Sequence, residues 1–373
     1  MNILIFINDI LNEEKIEFSI GGIQTYIREL CHVINGDGID NALILQYSKE
    51  EFSINIDGIK VIGTGVTTVS KVKSFITKNF KAKDTLLIFA TDKHSFRIKN
   101  FKSINIQHGI AYDVEAFEGR RRIFSSPFLS PIYKFLQRSN ARKLASHGNH
   151  LVCVDYNYFN WIKTYGSWHG DRITVIPNFS KVPCELNNNS SRDRKVLIAR
   201  RFVERRGIGL ICKAISDYYE QGGELEFVFA GEGPDKGIID NLKNQYPSRI
   251  SITKFHPNDS LKFHSNFQFA LIPSLGSEGT TLSLLEAMSS GCITIATHVG
   301  GITNIVIDGF NGIMVTPRTK DILETLWKAE KLSKEECYRM SMNASNTIKY
   351  SFSNHRWGND WLDLVDRVKN ISY

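Results

Sequence analysis

Short apolar runs alternate along the chain with longer stretches whose hydrophobic positions recur every three or four residues. The runs Ile3–Ile7, Ala42–Leu45, Thr85–Ala90, Ser103–Ile106, Leu151–Val154 and Ile173–Ile176 read as buried strands of a first half. Val196–Ala199, Leu225–Ala230, Phe269–Ile272 and Cys292–Ala296 read the same way in a second half. Between them lie helical patterns such as Ile23, Ile27, Leu30 and Cys31, which begin just after Gly21-Gly22. Strands that are apolar on both faces and alternate with helices predict parallel sheets in an α/β fold. A length of 373 residues with 42% hydrophobic content predicts two domains with sizeable cores. The polar segment Ser180–Arg194, with its NNNSSRDR run, reads as the linker between them. Residues 1–180 then form the first domain, 181–194 the linker and 195–350 the second domain. The segment Phe352–Val368 is amphipathic, with Trp357, Trp361, Leu364, Val365 and Val368 on one side, and must bury its tryptophans somewhere.

The densest signal runs from Pro273 to Val315. Pro273 cannot donate to a ladder and ends a strand, a polar loop with Gly276 and Gly279 follows, and a helical pattern from Thr281 stops at Gly291. Such a unit places loops and helix N-termini at the carboxyl edge of a parallel sheet, where α/β proteins bind nucleotides. Glu278 falls in the loop and Glu286 about one turn into the helix, so both carboxylates are expected to face one cleft. The amides of Gly279, Thr280, Thr281 and Leu282 are expected to point at the same space, suited to an anion.

The Glu278-x7-Glu286 spacing, followed by Ala287-Met288, Gly291 and the Gly300-Gly301 turn, resembles the donor segment of the retaining glycosyltransferases of family 4, which have the GT-B fold. The resemblance implies two Rossmann-like α/β domains, with residues 351–373 crossing back to pack on the first. It implies that Glu286 holds the ribose hydroxyls and Glu278 the donor sugar. Arg200-Arg201-Phe202-Val203-Glu204-Arg205-Arg206-Gly207 resembles the family's Gly-Arg-x4-Lys-Gly segment, which places Arg201 and Arg206 on the donor diphosphate. Here Arg200 stands for the glycine and Arg206 for the lysine. Two permanent cations there would stabilise charge on the leaving group. Gly231-Glu232-Gly233-Pro234 fits the family's pocket-bordering turn, and Gly237 comes too late for a dinucleotide fingerprint. His256, where glycine is common in the family, leaves the nucleotide base open.

His108 ends a strand of the first domain, and the resemblance makes it the histidine beside the reacting sugar. Family members react on one face, with the donor phosphate taking the acceptor proton. His108 would therefore position or polarise the sugar. Gly21 and Gly22 at a helix start let backbone amides approach a diphosphate or an acceptor hydroxyl. Asp113 and Glu115 are candidate acceptor contacts, or ordinary loop acids.

Net charge is +7, but between Lys60 and Lys143 there are 17 Lys and Arg against 5 Asp and Glu. Arg120-Arg121-Arg122 and Phe124, Phe128, Tyr133 and Phe135 lie there, followed by Arg138, Arg142 and Lys143. Basic groups beside aromatics suit an anionic membrane surface, and equally a solvated basic face. Nucleic acid is not expected, because no reading module accompanies the charge. The six cysteines have no Cys-x2-Cys spacing and are expected to be reduced. His147, His150 and Cys153 lack a nearby fourth ligand, no Asp-x-Asp occurs, and metal-independent chemistry with no cofactor is expected. The MNILIFINDI start lacks the basic opening of a signal peptide, and no stretch approaches the about 18 apolar residues of a membrane span. A cytoplasmic protein is the expectation, with the basic face open to peripheral docking on the inner membrane surface.

The combined expectation is transfer of a hexose from a nucleoside-diphosphate sugar, UDP favoured over GDP, to a glycan acceptor. A polyprenyl-diphosphate-linked acceptor in bacterial O-antigen, capsule or exopolysaccharide assembly fits the basic first domain. Alternatives are a GT-B epimerase, a phosphorylase (no pyridoxal-lysine segment is visible), or a non-catalytic glycosyltransferase-like partner.

Overall fold

The computed structural model describes residues 1–12, 14–108, 126–164, 172–184, 192–276 and 278–371. Two compact units are present. The first comprises Met1–His108, Lys134–Pro177 and Trp357–Tyr373; the second comprises Gly109–Tyr133 and Asn178–Arg356.

The strands of the first unit are β1 (Asn2–Ile7), β2 (Asn41–Gln46), β3 (Glu51–Ile56), β4 (Ile59–Thr64), β5 (Thr85–Phe89), β6 (Lys102–Gln107), β7 (His150–Cys153) and β8 (Ile173–Val175). They form one sheet in the order β3-β4-β2-β1-β5-β6-β7-β8. All pairings are parallel except β3 with β4. That hairpin was not among the strands expected from apolar runs. Its edge strand β3 buries little, and the Asp57-Gly58 turn, with φ of 52° and 77°, was its sequence signal. The described helices that flank or follow these strands are α1 (Gly22–Gly36), α2 (Val69–Asn79), α3 (Leu129–Ala145) and α4 (Tyr156–Lys163).

The second unit contains β9 (Asp193–Ala199), β10 (Glu226–Ala230), β11 (Ile250–Thr253), β12 (Phe267–Ile272), β13 (Ile293–Thr297) and β14 (Ile313–Val315). Its helices are α5 (Ile208–Glu220), α6 (Lys236–Gln245), α7 (Ser260–His264), α8 (Leu282–Ser289), α9 (Thr319–Lys331) and α10 (Lys334–Ser351). The sheet is wholly parallel in the order β11-β10-β9-β12-β13-β14. That order is doubly wound and reverses between β9 and β12, which is where such sheets open a crevice at their carboxyl ends. One face packs Ile208, Ile211, Ile215, Ile322 and Leu326 of α5 and α9 against the strands. The other packs Leu284, Leu285 and Met288 of α8 with Ala344 and Ile348 of α10.

The last helix, α11 (Asn354–Asn370), joins the first unit from Trp357 onward. Trp361 is fully buried and donates its indole N–H to Tyr26 Oη of α1 at 2.7 Å. Lys369 pairs with Asp40, and Lys102 donates to the Lys369 carbonyl. The last two residues read as linker fall inside a strand. Asp193 and Arg194 already belong to β9, and Ser180 N donates to the Phe352 carbonyl at 2.9 Å. The NNNSSRDR run lies largely outside the described residues. Five cysteines are buried and all six are free, Cys184 being exposed.

Gly207, with φ of 76°, ends the turn after β9, and a Cβ there would meet the Pro273 carbonyl oxygen at 1.8 Å. Gly207→Ala is therefore expected to cost about 2 kcal/mol or more, measured by urea denaturation, because it adds a backbone clash to a left-handed φ.

Candidate functional site

The carboxyl ends of β9 and β12, adjacent at the reversal point, bring a set of charged side chains together in the second unit. Ser274 follows Pro273 just beyond β12, and Thr297 Oγ1 at the end of β13 holds its carbonyl at 2.6 Å. Ser274 Oγ donates to Glu278 Oε1 at 2.5 Å. The same oxygen accepts from Arg200 Nη2 at 2.7 Å and pairs with Arg206 Nη1. Glu278 is 5% exposed, so its charge is neutralised inside protein. Gly301 N donates to the Glu278 carbonyl at 2.6 Å, and Gly300, at φ of 51°, has no room for a Cβ beside that oxygen. The Gly300-Gly301 turn thus clamps the glutamate's backbone.

Arg200, placed at the glycine position of the family segment, is the buried partner of Glu278. Arg201, expected to be the diphosphate cation, is exposed at the same strand end and makes no ion pair among the described residues. Arg200 keeps Nε and Nη1 buried without a hydrogen-bond partner. Burial, then repulsion from Arg205, pull its pKa down to about 9; Glu278 acts in the opposite sense, and the guanidinium is charged at neutral pH either way. Sequence spacing missed Arg200 because adjacent arginines after a strand differ only in which one turns inward. The Arg200-Arg201 doublet was the available signal.

α8 starts at Leu282 with Thr281 as its N-cap, carries no acid in its first turn, and receives its first intrahelical bond from Leu285 N to Thr281 O at 3.2 Å. The N–H groups of its first turn are therefore free of helical partners and available to an anion. Thr280 is buried, and Asn178 Nδ2 donates to its carbonyl, which fixes the approach to the helix. Gly291, at φ of 75°, closes the helix, as the sequence predicted. The Gly231–Pro234 turn backs the Arg200 loop, with Phe202 N donating to the Glu232 carbonyl at 2.7 Å.

Glu286 has a separate environment. Its Oε2 accepts from Ser260 Oγ of α7 at 2.8 Å, and no cation pairs with it among the described residues. Burial raises its pKa to about 7, with the Ser260 hydrogen bond pulling in the opposite direction. Ser260 was not singled out in the sequence; a serine at a helix start carries no distinctive signal.

In the first unit, His108 follows β6. Its ring stacks edge-on against Tyr26 at 5.1 Å, bonds the Ala90 backbone through one nitrogen, and keeps Nε2 buried without a partner. Burial lowers its pKa to about 4, so the ring is neutral at physiological pH even though part of the residue reaches the surface. Gly21 caps α1 with extended backbone and Gly22 opens the helix. Asp113, Glu115, Phe124 and Arg120–Arg122 lie outside the described residues. His147 bonds Ser95, His150 bonds Thr174 at 2.9 Å, and Cys153 is buried.

These two doubly wound units have the GT-B glycosyltransferase fold, and residues 193–329 match the family model of glycosyl transferases group 1. One subunit of the human phosphatidylinositol N-acetylglucosaminyltransferase is 23% identical over 232 residues, 60% of this chain and 45% of that protein. Staphylococcus aureus protein CapJ is 27% identical over 278 residues, 70% of this chain and 68% of CapJ. The chain thus spans less than half of the human relative. Among solved structures, Anabaena HepE in complex with UDP and glucose has a TM-score of 0.72 at 14% identity, covering 98% of this chain and 100% of HepE.

Two outcomes follow from the geometry. Arg200→Ala removes the more buried of the two guanidinium partners of Glu278 and is expected to cost about 3 kcal/mol, whereas Arg201→Ala should stay within about 0.5 kcal/mol; chemical denaturation separates them. Because the Glu286 pKa rises on folding, folded protein holds a proton that unfolded chain has lost between about pH 4.5 and 7. Stability therefore falls across that window as pH rises, by an order-of-magnitude contribution of about 3 kcal/mol. Glu286→Gln should flatten that part of the profile.

Proposed function

We propose that the protein is a retaining, family 4 glycosyltransferase that moves a hexose from a nucleoside-diphosphate sugar to a glycan acceptor. The observation that carries this reading is the meeting of Glu278, Arg200, Arg206 and the α8 N-terminus at the reversal point of the second sheet. A carboxylate for sugar hydroxyls, guanidinium groups and unpaired helix amides are what a sugar diphosphate requires. Arg201 and Arg206, with the amides of Gly279 to Leu282, take the diphosphate. The two unpartnered guanidinium nitrogens of Arg200, Nε and Nη1, add donors to the same site. Glu286 takes the ribose hydroxyls, and UDP is the favoured donor nucleotide, in keeping with the UDP bound by HepE.

In the transfer, the acceptor oxygen bonds to the anomeric carbon as the bond to the diphosphate oxygen breaks on the same face. The acceptor proton passes to the departing phosphate, whose charge the arginines stabilise. His108, neutral and with Nε2 free of a protein partner, polarises a sugar hydroxyl, while Gly21, Gly22 and Asp113 serve the acceptor side. Guanidinium groups in place of a divalent ion make the reaction metal-independent.

The acceptor we propose is polyprenyl-diphosphate-linked, in bacterial surface-polysaccharide assembly, reached from the cytoplasmic face of an anionic membrane. Support comes from α3, where Ile132, Phe135 and Leu136 are 60%, 70% and 58% exposed within the basic Lys60–Lys143 window. Among the described residues no helix is long and apolar enough to cross a membrane. No nucleic-acid partner is proposed.

Calorimetry with UDP, GDP and ADP in EDTA tests the donor site, with UDP binding and Glu286→Ala abolishing turnover as the expected results. Binding of none would favour a non-catalytic glycosyltransferase-like partner, and donor consumption without acceptor would favour an epimerase. Co-flotation with anionic liposomes at low salt tests the membrane; absence of flotation would argue for a soluble acceptor.

A further inference from the structure

No cation pairs with Glu286 among the described residues, so its carboxylate must be held some other way if it is to meet a ribose diol. Ser260, the first residue of α7, is 5% exposed and places Oγ 2.8 Å from Glu286 Oε2. Behind it, His264 Nδ1 lies 2.7 Å from the Ser260 carbonyl and 3.3 Å from Ser260 Oγ. A carbonyl only accepts, so His264 Nδ1 carries the hydrogen and is shared between these two oxygens. Ser260 Oγ is then an acceptor towards His264, and its own single proton goes to Glu286. The chain of donors runs one way, from imidazole to hydroxyl to carboxylate. The base of α7 is itself pinned to the end of α8: Ser290 Oγ donates to the Leu261 carbonyl at 3.0 Å, and Cys292 Sγ to the His264 carbonyl at 3.2 Å.

We propose that Ser260, oriented by His264, is the positioning residue that holds Glu286 as a carboxylate turned to receive the ribose hydroxyls of the donor nucleotide. This rests on the nucleotide-binding reading given above. A hydroxyl that donates to Oε2 favours the ionised carboxylate and leaves Oε1 for a ligand. His264 and Cys292 behind the carboxylate are neutral near pH 7, and the cation at that end of α8, Arg192, donates to the Ser290 carbonyl at 2.7 Å. Burial lowers His264 to about 4 and raises Cys292 to about 12. The positions α10 buries, Cys337, Met340, Ser341, Ala344, Ser345 and Ile348, include only a thiol, which burial raises above its ordinary value. The hydroxyl is thus the polar group that sets the charge of Glu286, against burial, which pushes it towards the neutral acid.

The test uses the full chain with Ser260→Ala, and with Ser260→Thr as the rescue. The carboxyl-carbon NMR titration of Glu286 in unliganded protein should have its midpoint near 7 in the parent chain. It should rise by about one pH unit in Ser260→Ala and return in Ser260→Thr. UDP affinity by calorimetry should fall roughly fivefold at pH 7 in Ser260→Ala, and the loss should shrink at pH 9, where Glu286 is ionised in both. A purely structural serine would weaken folding without moving that midpoint. An unchanged midpoint in folded Ser260→Ala, with UDP still bound, overturns the proposal and leaves the nucleotide reading standing. A shifted midpoint in a parent chain that binds none of UDP, GDP or ADP overturns both, because the carboxylate then serves no ribose.

Discussion

The Glu278 carboxylate, sunk between Arg200, Arg206 and Ser274, is the constraint around which the second unit's ligand face is arranged. A charge this buried is tolerable only if its partners arrive together, and here they come from different strand ends. Arg200 and Arg206 leave β9, while Ser274 and Glu278 leave β12; the doubly wound order makes those strands neighbours. Leu275 N donating to the Arg205 carbonyl at 3.0 Å ties the same two loops through the backbone. A buried ion pair adds little net stability compared with apolar packing. What this one adds is a fixed arrangement, with two guanidinium nitrogens of Arg200 left over. Leaving buried donors unmet is costly, and the phosphate oxygens of the proposed donor would supply acceptors for them.

Glu286 stands in contrast, eight positions further along the chain. One glutamate is held by two guanidinium groups, while the other, half-buried, accepts from the Ser260 hydroxyl. Identical side chains on one loop–helix unit are thus prepared for different partners by their surroundings. The first is committed to cations before any ligand comes. The second sits near its titration point, where small changes in hydrogen bonding decide its charge.

Much of the architecture was legible because burial on both faces of a parallel strand leaves an uninterrupted apolar run. Pro273, Gly291 and the tryptophans of α11 also read correctly, since each has a backbone or packing requirement that few other residues meet. The β3–β4 hairpin escaped because β3 alternates polar and apolar positions and therefore offers no continuous apolar run. Arg200 escaped for a different reason. Past the end of a strand the side-chain period no longer holds, and neither spacing nor resemblance tells which of two adjacent arginines turns inward. Ser260 lies outside the motif altogether, and only the fold brings α7 beside α8.

In the first unit the same logic applies to His108, through a neighbour the sequence could not place. The amphipathic C-terminal segment required a surface to bury its tryptophans, and that surface is Tyr26 of α1. Tyr26 in turn lies edge-on to His108, so the last helix of the chain forms the wall behind the imidazole. The aromatic wall removes water from the ring and keeps it neutral, while the Ala90 backbone fixes one nitrogen and leaves Nε2 unpaired. A histidine serving only the core would gain by satisfying both nitrogens, because an unmet buried polar atom costs about 1–3 kcal/mol. The ring is held in one orientation and one charge state with a single atom unused.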